Sequence, residues 1–328
     1  MKKLVSLLVL FLTIALSATS QTMQIAALTH EGEIKNYTSA DALRKAYNDA
    51  VDGDVITLSS GSFNSVNLEK RITVRGAGMG VQVNNTDPFI EPTMLKGSFD
   101  IKADGNGINN LILEGVACSS RVNLKGVINA WFSKCKFEDI KYSTGYGGYE
   151  NVTWINCVFD DAEFCYNASM NFYSCLFVSA PPSASNSTFS LTNCVLYIPN
   201  SNYNYGSVTY NNSIFINETG KVLYPYGTCF NSIWKGPLSE NSYFISTMES
   251  HHNSIVPDDV ELFKEGTFYQ LTDQAKTYLG GDGTEVGLYG GSLPFDPTPT
   301  NPQITKFQVA SKTTADGRLA VDIEVQAK

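Results

Sequence analysis

Between residues 130 and 260 apolar and polar positions return in one fixed phrase: "TWINCVF" at 153–159, "NFYSCLF" at 171–177, "SLTNCVL" at 190–196, "TYNNSIF" at 209–215 and "CFNSIW" at 229–234. Aligned on the small residue, Cys135, Cys157, Cys175, Cys194, Ser213, Ser232 and Ser254 form one column with gaps of 22, 18, 19, 19, 19 and 22 residues. Asn156, Ser174, Asn193, Asn212, Asn231 and Asn253 each precede a member of it. Two residues after each member stands Phe137, Phe159, Phe177, Leu196, Phe215, Trp234 or Val256. A period near 20 residues marks a solenoid. The segments are short, rich in Val, Ile, Phe, Tyr and Thr, and bounded by Gly, Asn and Ser, so they predict strands; helical periodicity is absent.

A coil of that length with two or three short strands predicts a parallel β-helix, each coil stacking on the last at roughly 4.8 Å. The asparagine suits the bend between strands, because it tolerates a left-handed backbone. Stacked inside, its amides would bond up and down the column. The neighbouring cysteine or serine would face a narrow interior, and the Phe column would fill the wider core. Serine replaces cysteine in the later coils, so the pattern predicts buried free thiols rather than a metal site or a disulfide framework, although the chain has seven cysteines.

These coils resemble the right-handed parallel β-helix of the pectin-lyase-like superfamily. "SADALRKAYNDAVDGDVITLSSGSF" (39–63) is similar to that group's opening, a cap helix followed by a Gly-Asp turn into the first strand. Ser39 is the expected N-cap, with Ala42, Leu43, Ala46 and Ala50 on one helical face. "YQLTDQAKTYLGGDGTEVGLYGG" (269–291) resembles the closing coil of bacterial secreted members. The fold implied is all-β, a right-handed parallel β-helix with an N-terminal cap helix and a C-terminal β-hairpin. The fold alone leaves function open, because it hosts lyases, hydrolases, esterases, adhesins and spacers.

The ends divide the chain further. Lys2 and Lys3, an apolar run from Leu4 to Leu16 and "SATSQ" predict a signal peptide over 1–20, with cleavage near Ser20–Gln21. The run is too short to span a membrane. The expected parts are a lead-in over 21–36, the β-helix over 37–291, a Pro-rich linker over 292–303 and a hairpin tail over 304–328. Export to the periplasm, cell surface or exterior follows from the leader, and the resemblance implies a bacterial source. The net charge of −9 becomes −11 once Lys2 and Lys3 are removed. An acidic chain without a basic cluster argues against nucleic acid and anionic membranes as partners.

Candidate chemistry falls into two groups. Tyr142, Tyr146, Tyr149, Tyr203, Tyr205, Tyr224 and Tyr226 lie in Gly- and Asn-rich loops. Exposed there, their rings would stack on sugars and their hydroxyls would bond them. Glu138 and Asp139 follow Cys135 as Asp160 and Asp161 follow Cys157, so the two acidic pairs should stack on adjacent coils. Such oxygen-rich clusters suit calcium, unless Lys134, Lys136 and Lys141 balance them. His251 and His252 are adjacent on a strand and so face opposite sides. Arg75 and Arg121 have no partner assignable from sequence. The galacturonase-type motifs Asn-Thr-Asp, Gly-Asp-Asp, Gly-His-Gly and Arg-Ile-Lys are absent.

The reading these features favour is an exported protein that binds polysaccharide along one face of the solenoid, with no catalytic set, no cofactor and an undetermined oligomeric state. The alternative is a calcium-dependent polysaccharide lyase built on the acidic stack. A third reading is a surface spacer or adhesin without a glycan ligand.

Overall fold

The computed structural model describes residues 24–87, 89–102, 108–142, 149–163, 168–179, 187–198, 207–220, 227–301, 303–309, 318 and 321–326. The expected leader over 1–20 lies outside them. The chain forms a parallel β-solenoid of about nine turns. Two sheets make its walls, and the interior columns follow from the sequence period.

On the first sheet, Val74, Leu113, Phe132, Trp154, Phe172, Leu191, Tyr210 and Cys229 stand in register, all buried. On the second, Phe63, Leu95, Cys118, Phe137, Phe159, Phe177, Leu196, Phe215 and Trp234 do the same. Rings stack along each column, as Phe132 on Trp154 at 4.0 Å and Phe159 on Phe177 at 4.8 Å. They meet edge-on between sheets, as Phe137 and Trp154 do at 5.6 Å. Cys118 belongs to this aromatic column and not to the small-residue one.

The small column explains why cysteine and serine interchange. Lys134, Asn156, Ser174, Asn193, Asn212 and Asn231 all have φ between 48° and 56°, the left-handed bend between the sheets. The next residue turns inward and donates across that bend to the carbonyl two positions back. Cys135 Sγ bonds Ser133 O at 3.1 Å, Cys175 Sγ bonds Tyr173 O at 3.3 Å, Ser213 Oγ bonds Asn211 O at 2.9 Å and Ser232 Oγ bonds Phe230 O at 2.8 Å. Cysteine and serine share a short side chain with one donor, and the site asks for no more. The described cysteines are buried and free.

The last coil slips by one residue. His252 takes the bend with φ 55°, Asn253 Oδ1 accepts from Ser232 N at 3.0 Å, and Ser254 pairs with Ile233. Asn253 therefore holds the column place expected of Ser254, and Ile255 rather than Val256 lies opposite Trp234.

Both ends are closed. Strands β1 (Ile25–His30) and β2 (Glu33–Thr38) form a hairpin whose first strand adds antiparallel to β3 (Val55–Leu58). Helix α1 (Ala42–Asp49) buries Ala42, Leu43, Ala46 and Tyr47 against this end. Its N-cap is Asp41, without a side-chain cap. Ser39, the expected cap, sits two residues earlier at φ 119°. At the far end, helix α2 (Tyr243–Ser246) places Phe244 at 6.0 Å from Trp234.

The parallel coils end with Ser254–Val256, not at residue 291. Residues 257–301 instead return down the outside of the stack. Val158, Leu176, Val195, Ile214 and Ile233, each directly after a small-column residue, face outward and are buried under Val260, Leu262, Leu271, Val286, Leu288 and Phe295. The returning chain then runs along the bend column. Gly281 N donates to Asn212 Oδ1 at 2.9 Å, Ser174 Oγ donates to Leu293 O at 2.6 Å, and Asn156 Nδ2 donates to Pro294 O at 3.3 Å. Further down, Thr300 N donates to Glu114 Oε1 at 3.0 Å and Asn301 Nδ2 to Gly76 O at 2.9 Å. The bend amides thus hold this strap rather than one another. The Gly-rich run follows from that closeness: a Cβ on Gly280 would lie 2.6 Å from Asn212 Cγ, and one on Gly291 2.6 Å from Asn193 Oδ1. The expected linker over 292–303 is, through residue 301, a docked strap. Beyond it, Gln303–Val309 and Val321–Gln326 pair as the expected antiparallel hairpin.

Candidate functional site

The strap covers the outer face of the second sheet, and among the described residues no such cover lies on the outer face of the first, which forms a long wall. Strand alternation fixes what this wall presents. With Met170, Phe172, Phe189, Leu191, Val208 and Tyr210 turned inward and buried, the residues between them must face out. Trp131, Thr153, Asn171, Ser190, Thr209 and Thr228 form one column in register. Tyr173, Thr192, Asn211 and Phe230 form a second, and Ser169, Thr188 and Ser207 a third. None of these residues is charged. Trp131, with 45% of its surface exposed, stands in the first column, which continues through Ile112 and Thr73. From Trp131 to Thr228 the first column offers hydroxyl and amide groups at each coil step without charge, whereas the second column continues through Ile155 and Ser133 to the Glu114–Arg75 pair.

The tyrosines expected to bind sugars divide. Tyr149 is buried, and its hydroxyl donates to Leu124 O at 2.9 Å. It is a core residue, because it starts the strand Tyr149–Ile155 on an inward position instead of ending a loop. Tyr142 ends the strand Lys136–Tyr142, paired with Leu124. Tyr146, Tyr203, Tyr205, Tyr224 and Tyr226 lie outside the described residues.

The acidic stack forms on adjacent coils as its spacing requires: Phe137 pairs with Phe159, and Asp161 N donates to Glu138 O at 3.1 Å. Its three aspartates already have cations. Arg121 Nε meets Asp139 at 2.8 Å and Lys136 Nζ meets Asp160 at 3.0 Å. Lys141 Nζ lies 3.0 Å from Asp161, 3.3 Å from Glu163 and 3.5 Å from Asp139. Burial lowers the affinity of Lys141 for its proton, but the hydrogen bond it donates to Asp161 and the surrounding carboxylates more than offset this and raise its pKa. Glu138 is exposed. Among the described residues, no group of three or more His, Cys, Asp or Glu side chains is placed to hold a metal ion. Arg121 reaches Asp139 from the previous coil, where Arg121 and Asp139 are register partners. That partnership needs the strand pairing and is invisible in local sequence. Arg75 likewise meets Glu114 at 3.3 Å.

The two histidines do separate, but in the turn before the strand Ser254–Val256 and not by strand alternation, His252 taking the left-handed bend. His251 packs on Phe230 with ring centroids 4.4 Å apart and places Nδ1 3.0 Å from Cys229 O, whereas His252 is exposed. A second concavity, about 350 Å³, lies where the strap leaves the second sheet. Tyr197, Ile216 and Phe263 wall it, and Glu218, Asp258, Asp259 and Glu261 line its rim. Its one lysine, Lys235, donates to Val260 O at 3.0 Å and so helps anchor the strap.

Compared with known proteins, the chain matches no family model, no curated sequence and no solved structure.

Proposed function

We propose that this chain is an exported polysaccharide-binding protein and that the outer wall of its first sheet is the binding face. The observation that carries the reading is the uncharged column of Trp131, Thr153, Asn171, Ser190, Thr209 and Thr228, in register on consecutive strands. A linear glycan is a repeating string of hydroxyls and apolar ring faces. A wall that repeats hydroxyls and amides at strand spacing, roughly 4.8 Å, can address successive sugar units with the same groups. Trp131 supplies a flat apolar surface on which a ring stacks. The lack of charge at these column positions favours a neutral glycan, and the acidic chain as a whole disfavours a uronate polymer.

The leader over 1–20 supports export with a mature start near Gln21, where such a glycan would be met. The stacked aromatic core, the cap helix and the coil period support kinship with the pectin-lyase-like superfamily. The reading needs no catalytic residue and no cofactor. The calcium-lyase alternative is weaker, because Arg121, Lys136 and Lys141 neutralise the aspartates it would use.

The test is a glycan array probed with the mature chain and with Trp131→Ala. Binding to neutral polysaccharides that falls at least about tenfold in the variant supports the reading. A loss of that size corresponds to about 1.4 kcal/mol, within the range of one aromatic contact. Absence of binding to every glycan would favour the spacer reading instead.

A further inference from the structure

Strand β2 is the outermost strand of the first sheet, and its far edge has no partner among the described residues. At the opposite end of the same sheet the last strand is closed: Asn253 Nδ2 donates to Cys229 O at 2.9 Å and Asn231 N donates to His251 O at 2.8 Å. No such closure meets β2. Its residues Glu33, Ile34, Lys35, Asn36 and Thr38 are exposed, and Ile34 is the most exposed large hydrophobic residue described, at 67%. The strand contains no proline and its pairing with β1 has no bulge, two of the devices that blunt such an edge; the charges it does carry are Glu33 and Lys35.

The turn sets which backbone groups point outward. Glu31 and Gly32 have φ of 50° and 87°, a two-residue hairpin turn that makes His30 and Glu33 a hydrogen-bonded pair. Alternation then turns the N–H and C=O of Glu33, Lys35 and Tyr37 toward β1. Those of Ile34, Asn36 and Thr38 face the open edge.

We propose that this edge pairs with β2 of a second copy of the chain, antiparallel about a two-fold axis through Asn36. Five two-fold registers bring outward groups opposite one another; those centred on Tyr37 and Thr38 leave Ile34 beyond the paired stretch and complete fewer backbone bonds. Centring on Lys35 sets two lysines face to face, and centring on Ile34 drives each strand into the partner's hairpin turn. Centring on Asn36 avoids both. Ile34 then faces the partner's Thr38, Asn36 faces the partner's Asn36, and Lys35 faces the partner's Tyr37. The three outward residues of each strand complete six backbone hydrogen bonds. Lys35 lies 5.1 Å over its own Tyr37 ring and both side chains bond Asp49 of α1, so the charge of each lysine is already balanced where it faces the partner's Tyr37. The two solenoids become one continuous sheet, and their walls join end to end. The pairing itself stands on the strand geometry and does not require the glycan reading.

A five-residue strand pairing is a small interface, so the dimer should dissociate on dilution. The test is sedimentation equilibrium of the mature chain at concentrations up to about 1 mM, beside Asn36→Pro. Proline removes the outward N–H of residue 36 and leaves the bonds to β1 in place. The expected result is a mass twice the monomer's at high concentration for the wild type and a monomer for Asn36→Pro, both melting at the same temperature. If Asn36→Pro unfolds the hairpin, Ile34→Lys serves, setting like charges at the edge without touching the backbone. A wild-type chain that stays monomeric at about 1 mM overturns the proposal, as does a dimer that survives both substitutions.

Discussion

Asn156 Oδ1 accepts the backbone N–H of Asp296 at 3.2 Å, across 140 residues of sequence. The same amide donates to the carbonyls of Leu293 and Pro294 at 3.4 and 3.3 Å. Asn156 thus does two things at once. It takes the left-handed bend with φ 52°, and it clasps the strap that closes the outer face of the second sheet.

These two roles are separable. Asn156→Gly keeps the bend and loses the clasp, leaving strap groups unpaired at a cost of about 1–3 kcal/mol. Asn156→Ala loses the clasp and also strains the bend, which adds about 1–2 kcal/mol. Denaturant unfolding should therefore rank wild type above Asn156→Gly, and Asn156→Gly above Asn156→Ala. Equal loss in the two variants would show that the bend carries no strain.

The thiol column predicts an asymmetric response to size and polarity. Cys175→Ser keeps the donor to Tyr173 O and should change stability by less than about 1 kcal/mol. Cys175→Leu overpacks the column and should cost about 1–3 kcal/mol. Burial, reinforced by the neighbouring thiols, raises the Cys175 pKa well above the ordinary thiol value. Labelling of the native protein should therefore stay slow even at alkaline pH, and should be complete after denaturation without reductant.

The acidic stack predicts indifference to calcium. With Arg121, Lys136 and Lys141 already on the aspartates, millimolar calcium should leave the melting temperature of the wild type unmoved. Lys141→Met, which strips the cation from Asp161 and Glu163 and leaves Asp139 with Arg121 alone, should lower stability by at most about 1 kcal/mol, because the lysine is partly exposed. A calcium-induced rise in the wild-type melting temperature, abolished by Asp160→Asn, would restore the calcium site.

At the N-terminal end, Asp54 holds His30 charged through a 2.7 Å contact that raises the imidazole above its usual 6.5. A raised folded pKa stabilises the folded state fully below pH 6.5 and loses that contribution as pH climbs through the folded value. Stability should fall over that window, and His30→Gln should flatten the dependence. An imidazole that titrates at or below 6.5 by NMR would contradict the pairing.

The coil repeat was legible because two interior columns write themselves at fixed spacing, from Cys135 to Ser232 and from Phe137 to Trp234. The strap was not, although its signal was present. Val158-Phe159, Leu176-Phe177, Val195-Leu196, Ile214-Phe215 and Ile233-Trp234 are paired apolar residues on strands, and alternation sends one of each pair outside. A strand buried on both faces needs a cover, and that cover lies in sequence at 257–301. The final coil misled by one residue, because Asn253 resembles the bend asparagines while occupying the serine place. Among the proposed sugar-binding tyrosines, Tyr149 failed because a Gly-rich neighbourhood does not reveal where the next strand begins.

Binding through the uncharged column is tested most directly by calorimetric titration with soluble neutral polysaccharides, a glucan, a mannan and a galactan, comparing the wild type with Ser190→Glu. Ser190 stands mid-column between Asn171 and Thr209 on the open face, so a carboxylate there disturbs the wall without entering the core. The prediction is binding of at least one of the three by the wild type, weakened at least about tenfold in Ser190→Glu at an unchanged melting temperature. Equal affinity in the two proteins, or no heat with any of the three, would contradict it.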